Sequence, residues 1–210
     1  AIDEDVLVQQ LNLYKKIAEQ LPYDSLIEIT PLNGAGIVSY GVQLKAIQRV
    51  KHPLGDLICV ADNQAVFLTY FRNNILHLFI LPSLVACLMQ HNGQLQREQM
   101  VSVIASLYPY LQSELFLPWH VSEIESLVNQ HIDALIDANM LSRHNDTIIS
   151  PNPNTEAYAQ LVILGEAAKE TIERYYMTIS LLTRRGSGKS NQKQLEDLCS
   201  LLAQRLSVLH

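Results

Sequence analysis

Leu7, Val101 and Leu195 stand 94 residues apart, and so do Leu13, Leu107 and Leu201. Tyr14, Tyr108 and Leu202 keep the same interval, as do Leu21, Leu115 and Leu209. An apolar pattern that returns at a fixed long period signals one supersecondary unit used in series. This narrows the choice of folds more than any other feature of the chain. Each period reads as helix, helix, hairpin and connecting helix. The expected organisation is a first repeat over 1–96 with apolar connecting helices, a second over 97–190 with a long connecting helix, and the first helix of a third repeat over 191–210. Because the third repeat stops inside its first helix and the chain opens on Ala1, we expect an excised piece of a longer protein.

The individual segments support a mainly α fold with small β-hairpins. Val6, Leu7, Leu11, Leu13, Tyr14 and Ile17 fall largely on one face, which predicts a helix from Asp3 to Leu21 that Pro22 ends. A second helix is predicted over roughly Gly41 to Val50. Leu57–Val60 and Ala65–Leu68 flank Ala61-Asp62-Asn63-Gln64 and suggest strands, although the second of these runs can equally open a long helix. Helices are expected over Gln99–Leu117 and Val121–Asn139. A hairpin follows, formed by Met140–Ser142 and Thr147–Ser150 around Arg143–Asp146. Leu161, Leu164, Ala168, Ile172, Tyr175, Ile179 and Leu182 then mark a long amphipathic helix from Glu156 to Leu182. Arg184 to Asn191 reads as a polar Gly/Ser linker.

Asn73 to Gln96 carries no formal charge, and Ile75 to Met89 is mostly apolar. That apolar run reaches roughly 22 Å as a helix, short of the ~30 Å hydrocarbon layer. Pro82 and His77 interrupt it, so a buried helix pair broken at Pro82 is expected in preference to a membrane span, with a helix lying on a bilayer or against a partner as the alternative.

Helices followed by a hairpin resemble winged helix-turn-helix modules, which makes a tandem winged-helix adaptor or nucleic-acid-binding module the alternative reading. The second helix of the second repeat carries Glu123, Glu125, Asp133 and Asp137, and the net charge is −6. Such a face repels phosphates, so no nucleic-acid partner is expected. Lys45, Arg49 and Lys51 form one small basic cluster, read as a solvated helix end.

Few residues suit catalysis. Cys59, Cys87 and Cys199 are scattered, and the seven histidines lack metal-ligand spacing. Gly186-Ser187-Gly188-Lys189-Ser190 ends like a phosphate loop, but Thr183 stands where the leading glycine is required. His120 with Glu123 and His131 with Asp137 are helix neighbours of the kind that are usually surface pairs. Trp119, beside Pro118, is expected as a packing anchor. The polar cluster Tyr70-Phe71-Arg72-Asn73-Asn74 interrupts an apolar stretch, and we expect Arg72 to turn inward and be paired there.

Leu68-Thr69-Tyr70-Phe71-Arg72-Asn73-Asn74-Ile75, with Leu81-Pro82-Ser83-Leu84, resembles the C-terminal region of the bacterial membrane-bound glycerol-3-phosphate acyltransferases. So do Leu107-Tyr108-Pro109, Glu114-Leu115-Phe116-Leu117 and the closing Ala203 to His210. The resemblance covers nearly the whole chain and is weakest from Leu26 to Lys51. It implies part of an enzyme of phospholipid synthesis that transfers an acyl group from acyl-carrier-protein or coenzyme A thioesters to glycerol 3-phosphate. The implied place is the cytoplasmic face of the inner membrane, and the implied partner is the upstream catalytic domain of the same polypeptide. That family's catalytic signature is His-x-x-x-x-Asp, its His acting as general base. Residues five after His52, His77, His91, His120, His131 and His144 are Leu57, Pro82, Gln96, Glu125, Ile136 and Ile149. The nearest approach, His52 to Asp56, is one residue short. No catalytic, substrate-binding or metal-binding residue is therefore carried over, and no cofactor is implied. We expect a non-catalytic region, inactive alone, that supports the catalytic domain.

Overall fold

The computed structural model describes residues 1–186 and 188–209, with the backbone alone for Asp62 and 206–209. Residues up to Ala167 form one compact unit, and a second unit begins at Ala168. The first unit contains two β-α-α-β-β runs in series. The first run is β1 (Ile2–Asp3), α1 (Glu4–Gln20), α2 (Gly34–Gln43), β2 (Ile47–Val50) and β3 (Leu57–Val60). After α3 (Ala65–Asn92) comes the second, made of β4 (Gln94–Gln96), α4 (Arg97–Leu115), α5 (Ile124–Asp137), β5 (Ser142–His144) and β6 (Thr147–Ile149). The mainly helical fold with small hairpins is thus observed.

Both sheets are antiparallel with the last strand in the centre, ordered β1-β3-β2 and β4-β6-β5. Arg49 lies opposite Ile58 and Arg143 opposite Ile148, and both isoleucines are buried. The amide of Glu4 donates to the Asp56 carbonyl at 2.9 Å, and the amide of Arg97 to the Asp146 carbonyl at 2.9 Å. Each hairpin loop thereby satisfies one of the orphan donors at the start of its run's first helix.

Local chemistry sets the helix ends. The Asp3 side chain accepts from the amides of Asp5 and Val6 at 2.9 and 3.2 Å and starts α1. Asn33 starts α2 by accepting from the Gly36 amide at 2.8 Å. α2 lies tight against α1: a Cβ on Gly34 would stand 2.3 Å from the Val8 carbonyl oxygen. The Gly34 amide also donates to the Asn12 side chain at 2.7 Å. Gly93, at φ +70°, ends α3.

Three segments differ from the sequence reading. Residues 41–50 are not one helix: α2 ends at Gln43, Lys45 adopts a left-handed φ of 57°, and 47–50 form β2. β2, not Ala65–Leu68, pairs with β3, and Ala65–Leu68 opens α3. α3 also passes through Pro82 unbroken and runs about 42 Å. An internal proline costs about 3 kcal/mol in an isolated helix. Here Pro82 lies inside the buried stretch from Ile80 to Ala86, and α3 packs on α4 and α5, burial that offsets the loss.

The core is built where α3, α4 and α5 meet, from Ile80, Leu84, Val85, Met89, Met100, Ile104, Tyr108, Val128, Ile132 and Leu135. α6 (Glu156–Arg185) adds Leu161 and Leu164 to the first unit. Its Gly165 lies so close to α3 that a Cβ would stand 3.1 Å from the Cys87 backbone nitrogen. The second unit comprises α6 from Ala168 onward and α7 (Gln192–Leu209), where Thr178 Oγ1 meets Cys199 Sγ at 3.8 Å. α3 is long and apolar enough to cross a membrane by length and composition, yet half of its most apolar window is buried in the protein.

Candidate interaction surface

The groups singled out from sequence hold the fold together. Among the described residues no three His, Cys, Asp or Glu side chains converge as a metal site. His120 takes part in a capping box: its amide donates to Glu123 Oε2 at 2.7 Å, and its Nδ1 accepts from the Ser122 amide at 3.3 Å. His131 is 5% exposed, and its Nδ1 has no hydrogen-bond partner among the described residues, so it does not pair with Asp137. Burial lowers its pKa to about 4 and keeps it neutral near pH 7. His52 Nδ1 accepts from the Leu54 amide at 3.2 Å within the hairpin loop.

The basic cluster is not one helix end: Lys45 follows α2, Arg49 lies in β2 and Lys51 just after it, with both lysines exposed. Arg49 donates to both carboxylate oxygens of Glu4 at 2.6 Å, and these hydrogen bonds raise its pKa. In the second run Arg97 bonds to Asp133 and, at 3.1 Å, to Asn129. The linker lies between α6 and α7, with Gly186 and Gly188 at φ 83° and 72°; Ser187 is outside the described residues.

Trp119 is half-buried at a corner, as expected. Its carbonyl accepts from the Tyr108 hydroxyl at 2.6 Å and from Gln112 Nε2 at 2.7 Å. Tyr23 meets the rings of His77 and Trp119 edge-on at 4.8 and 5.0 Å. Burial pushes the Tyr108 phenol up to about 12, so it serves as a permanent donor.

Arg72 differs from expectation. It is exposed and reaches the Asn73 side-chain oxygen at 3.1 and 3.3 Å. The reason is its place in the first half of α3, where Val66, Phe67, Tyr70, Phe71 and Ile75 are exposed as well. Beside this ridge opens a groove of about 460 Å³. Leu11, Tyr14 and Ala18 of α1, Ile27 and Ile29 of the following loop, Ile37 of α2, and Ile75, Leu76 and Phe79 of α3 line it. Lys15, Glu28 and Arg72 are the charged residues in its wall. Such a surface can take up apolar side chains. A larger cleft of about 730 Å³ is of mixed character, lined by Arg97, Glu98, Glu125, Asn129 and Asp146 together with Val101 and Ala105.

Over residues 1–210 the sequence matches the family described as the glycerol-3-phosphate acyltransferase C-terminal region. The chain belongs to that family. Along its full length this acyltransferase C-terminal region is 37% identical to a glycerol-3-phosphate acyltransferase of Pseudomonas paraeruginosa. It is 36% identical to those of Pseudomonas aeruginosa and Pseudomonas syringae pv. tomato. The chain spans a quarter of the length of the curated relatives it matches. No solved structure matches it. The blocks that carried the resemblance divide between core and surface: Leu81–Leu84 and Tyr108 are buried, whereas Tyr70–Ile75 form the exposed ridge. Sequence reasoning did not find the groove, because its walls bring residues 11–37 together with α3 and with Ala167 of α6.

Proposed function

We propose that this region is a non-catalytic part of a glycerol-3-phosphate acyltransferase and supports that enzyme's upstream catalytic domain. One observation carries the reading: the family match runs through all 210 residues, yet none of the histidines has Asp five residues on. General-base catalysis on an acceptor hydroxyl needs an oriented base. His120 is taken up by a cap, His52 by a turn, His131 by the core and His77 by the Tyr23 ring. In the full-length protein the reaction would be acyl transfer from acyl-carrier-protein or coenzyme A thioesters to glycerol 3-phosphate. It would take place at the cytoplasmic face of the inner membrane. The two β-α-α-β-β runs read as copies of one winged-helix-like unit, and the repeats over 1–96 and 97–190 hold them except for β4, which opens the second run just ahead of residue 97. α7 starts 188 residues after α1 and fits the first helix of a third copy over 191–210.

The test is an acyl-transfer assay on the purified region and on the full-length protein with and without it. The expected result is no turnover by the region alone, and loss of folded, active enzyme when it is deleted. Turnover by the isolated region above a heat-inactivated control would overturn the reading.

A further inference from the structure

α3 is one helix in two environments. Between Ile80 and Met89 most of its side chains are buried. Earlier, Phe71, Ile75, Phe67, Tyr70 and Val66 are 48, 50, 55, 62 and 82% exposed. Single exposed apolar residues are ordinary, but five within three turns of one helix, three of them aromatic, form a contiguous ridge. Phe67 and Phe71 are one helical turn apart, with rings in edge-to-face contact at 4.6 Å, so they present a preformed knob. The 460 Å³ apolar groove lies alongside and shares Ile75 with the ridge. A ridge next to a groove is the relief on which another helix packs.

We infer that the ridge and groove seat a segment of the polypeptide that precedes this region in the full-length protein. The inference rests on the proposed function, and it names the face through which the support is given. The length of chain outside the structure favours this occupant. The relatives are about four times as long as the region, and the region they share is a C-terminal one. A segment supplied by the same chain acts at roughly millimolar effective concentration, so a modest apolar face is enough to hold it. Charge argues against a bilayer as the occupant. Adsorption to anionic lipid needs clustered Lys and Arg, whereas the region carries a net charge of −6, and the charged residues of the ridge and groove wall are Lys15, Arg72 and the acidic Glu28, no cationic cluster.

The experiment places the photo-reactive amino acid p-benzoylphenylalanine at position 71 of the full-length protein in its native membranes. A second protein carries it at Phe116, an 87% exposed phenylalanine at the end of α4, for comparison. Cross-linked peptides are then identified by mass spectrometry. Position 71 should join an upstream segment of the same chain, position 116 should not, and Phe67→Asp should abolish the product from position 71. Cross-linking of position 71 to lipid, to a second copy or to nothing would overturn the inference, as would equal upstream products from both positions. Acyl transfer by the same samples is read separately. An active enzyme whose position 71 meets no upstream segment defeats the docking face and leaves the proposed function standing. An upstream cross-link in a protein without acyl transfer does the reverse.

Discussion

The two β-α-α-β-β runs share their strand order and much of their register, yet they live in different surroundings. In the second run, Met100, Ile104, Tyr108, Leu111, Val128, Ile132 and Leu135 are all nearly inaccessible, because α3 packs across α4 and α5. In the first run α1 packs mainly on α2, and the buried apolar residues are Leu13, Ile17, Val38 and Ile58. Tyr40, Leu44, Val50, Leu54 and Val60 stay exposed there. Positions 94 residues apart show the contrast directly. Ile17 and Leu111 are both buried, as are Val38 and Ile132, but exposed Tyr40 corresponds to buried Ala134. One pattern can therefore build a tightly packed unit or a thinner one, depending on what is laid over it.

Deleting core volume should separate the runs most clearly. Ile132→Ala, at 0% exposure, is expected to cost about 4 kcal/mol, and Ile17→Ala, at 2% exposure in the thinner first run, about 3 kcal/mol. Urea unfolding of the two variants measures both, and equal losses would remove the claimed difference in packing.

Acid should act on the second run through His131, whose counterpart in the first is Ile37. The folded pKa of about 4 lies below the unfolded value of 6.5, so protonation favours the unfolded chain. The stability linked to His131 is complete above about pH 6.5 and falls as pH drops towards 4, by up to about 3 kcal/mol. In parallel melts, His131→Leu should flatten the pH dependence in that window relative to the unsubstituted protein. An unchanged slope would mean that His131 is hydrated.

A smaller effect belongs to the first run. Gly34→Ala places a methyl group against the Val8 backbone oxygen and must push α2 off α1, at about 2 kcal/mol. At the matching position the second run has Val128, so the close approach is a property of the first pair of helices alone. A neutral Gly34→Ala in thermal melts would show that α1 and α2 can separate freely.

The ion pairs come last. Arg97→Ala removes bonds to Asp133 and Asn129 from a side chain 18% exposed and should cost about 1–2 kcal/mol. Arg49→Ala breaks an exposed pair and should leave the melting temperature almost unchanged. A larger loss at Arg49 would mean that the first hairpin depends on its pair with Glu4.

Legibility in the sequence followed the same divide. α1, α4, α5, α6 and the β5–β6 hairpin carry strong apolar periodicity or turn residues, and their positions could be read within a few residues. α2 could not. Its sequence, Gly-Ala-Gly-Ile-Val-Ser-Tyr-Gly-Val-Gln, has low helix propensity, and it is held by the Asn33 cap and by contact with α1. The strand Ile47–Val50 reads as helix in sequence because Ile47 and Val50 fit either period.

The sequence by itself determined the succession of elements, the family and the lack of a His-x-x-x-x-Asp pair, because these depend on local spacing and residue identity. Only the tertiary structure decided that Pro82 sits inside a continuous helix, that Arg72 is exposed, and that the ridge from Val66 to Ile75 remains uncovered. Burial is a sum over neighbours brought in from distant parts of the chain. An apolar residue that reads as core in one dimension can therefore stand at the surface in three.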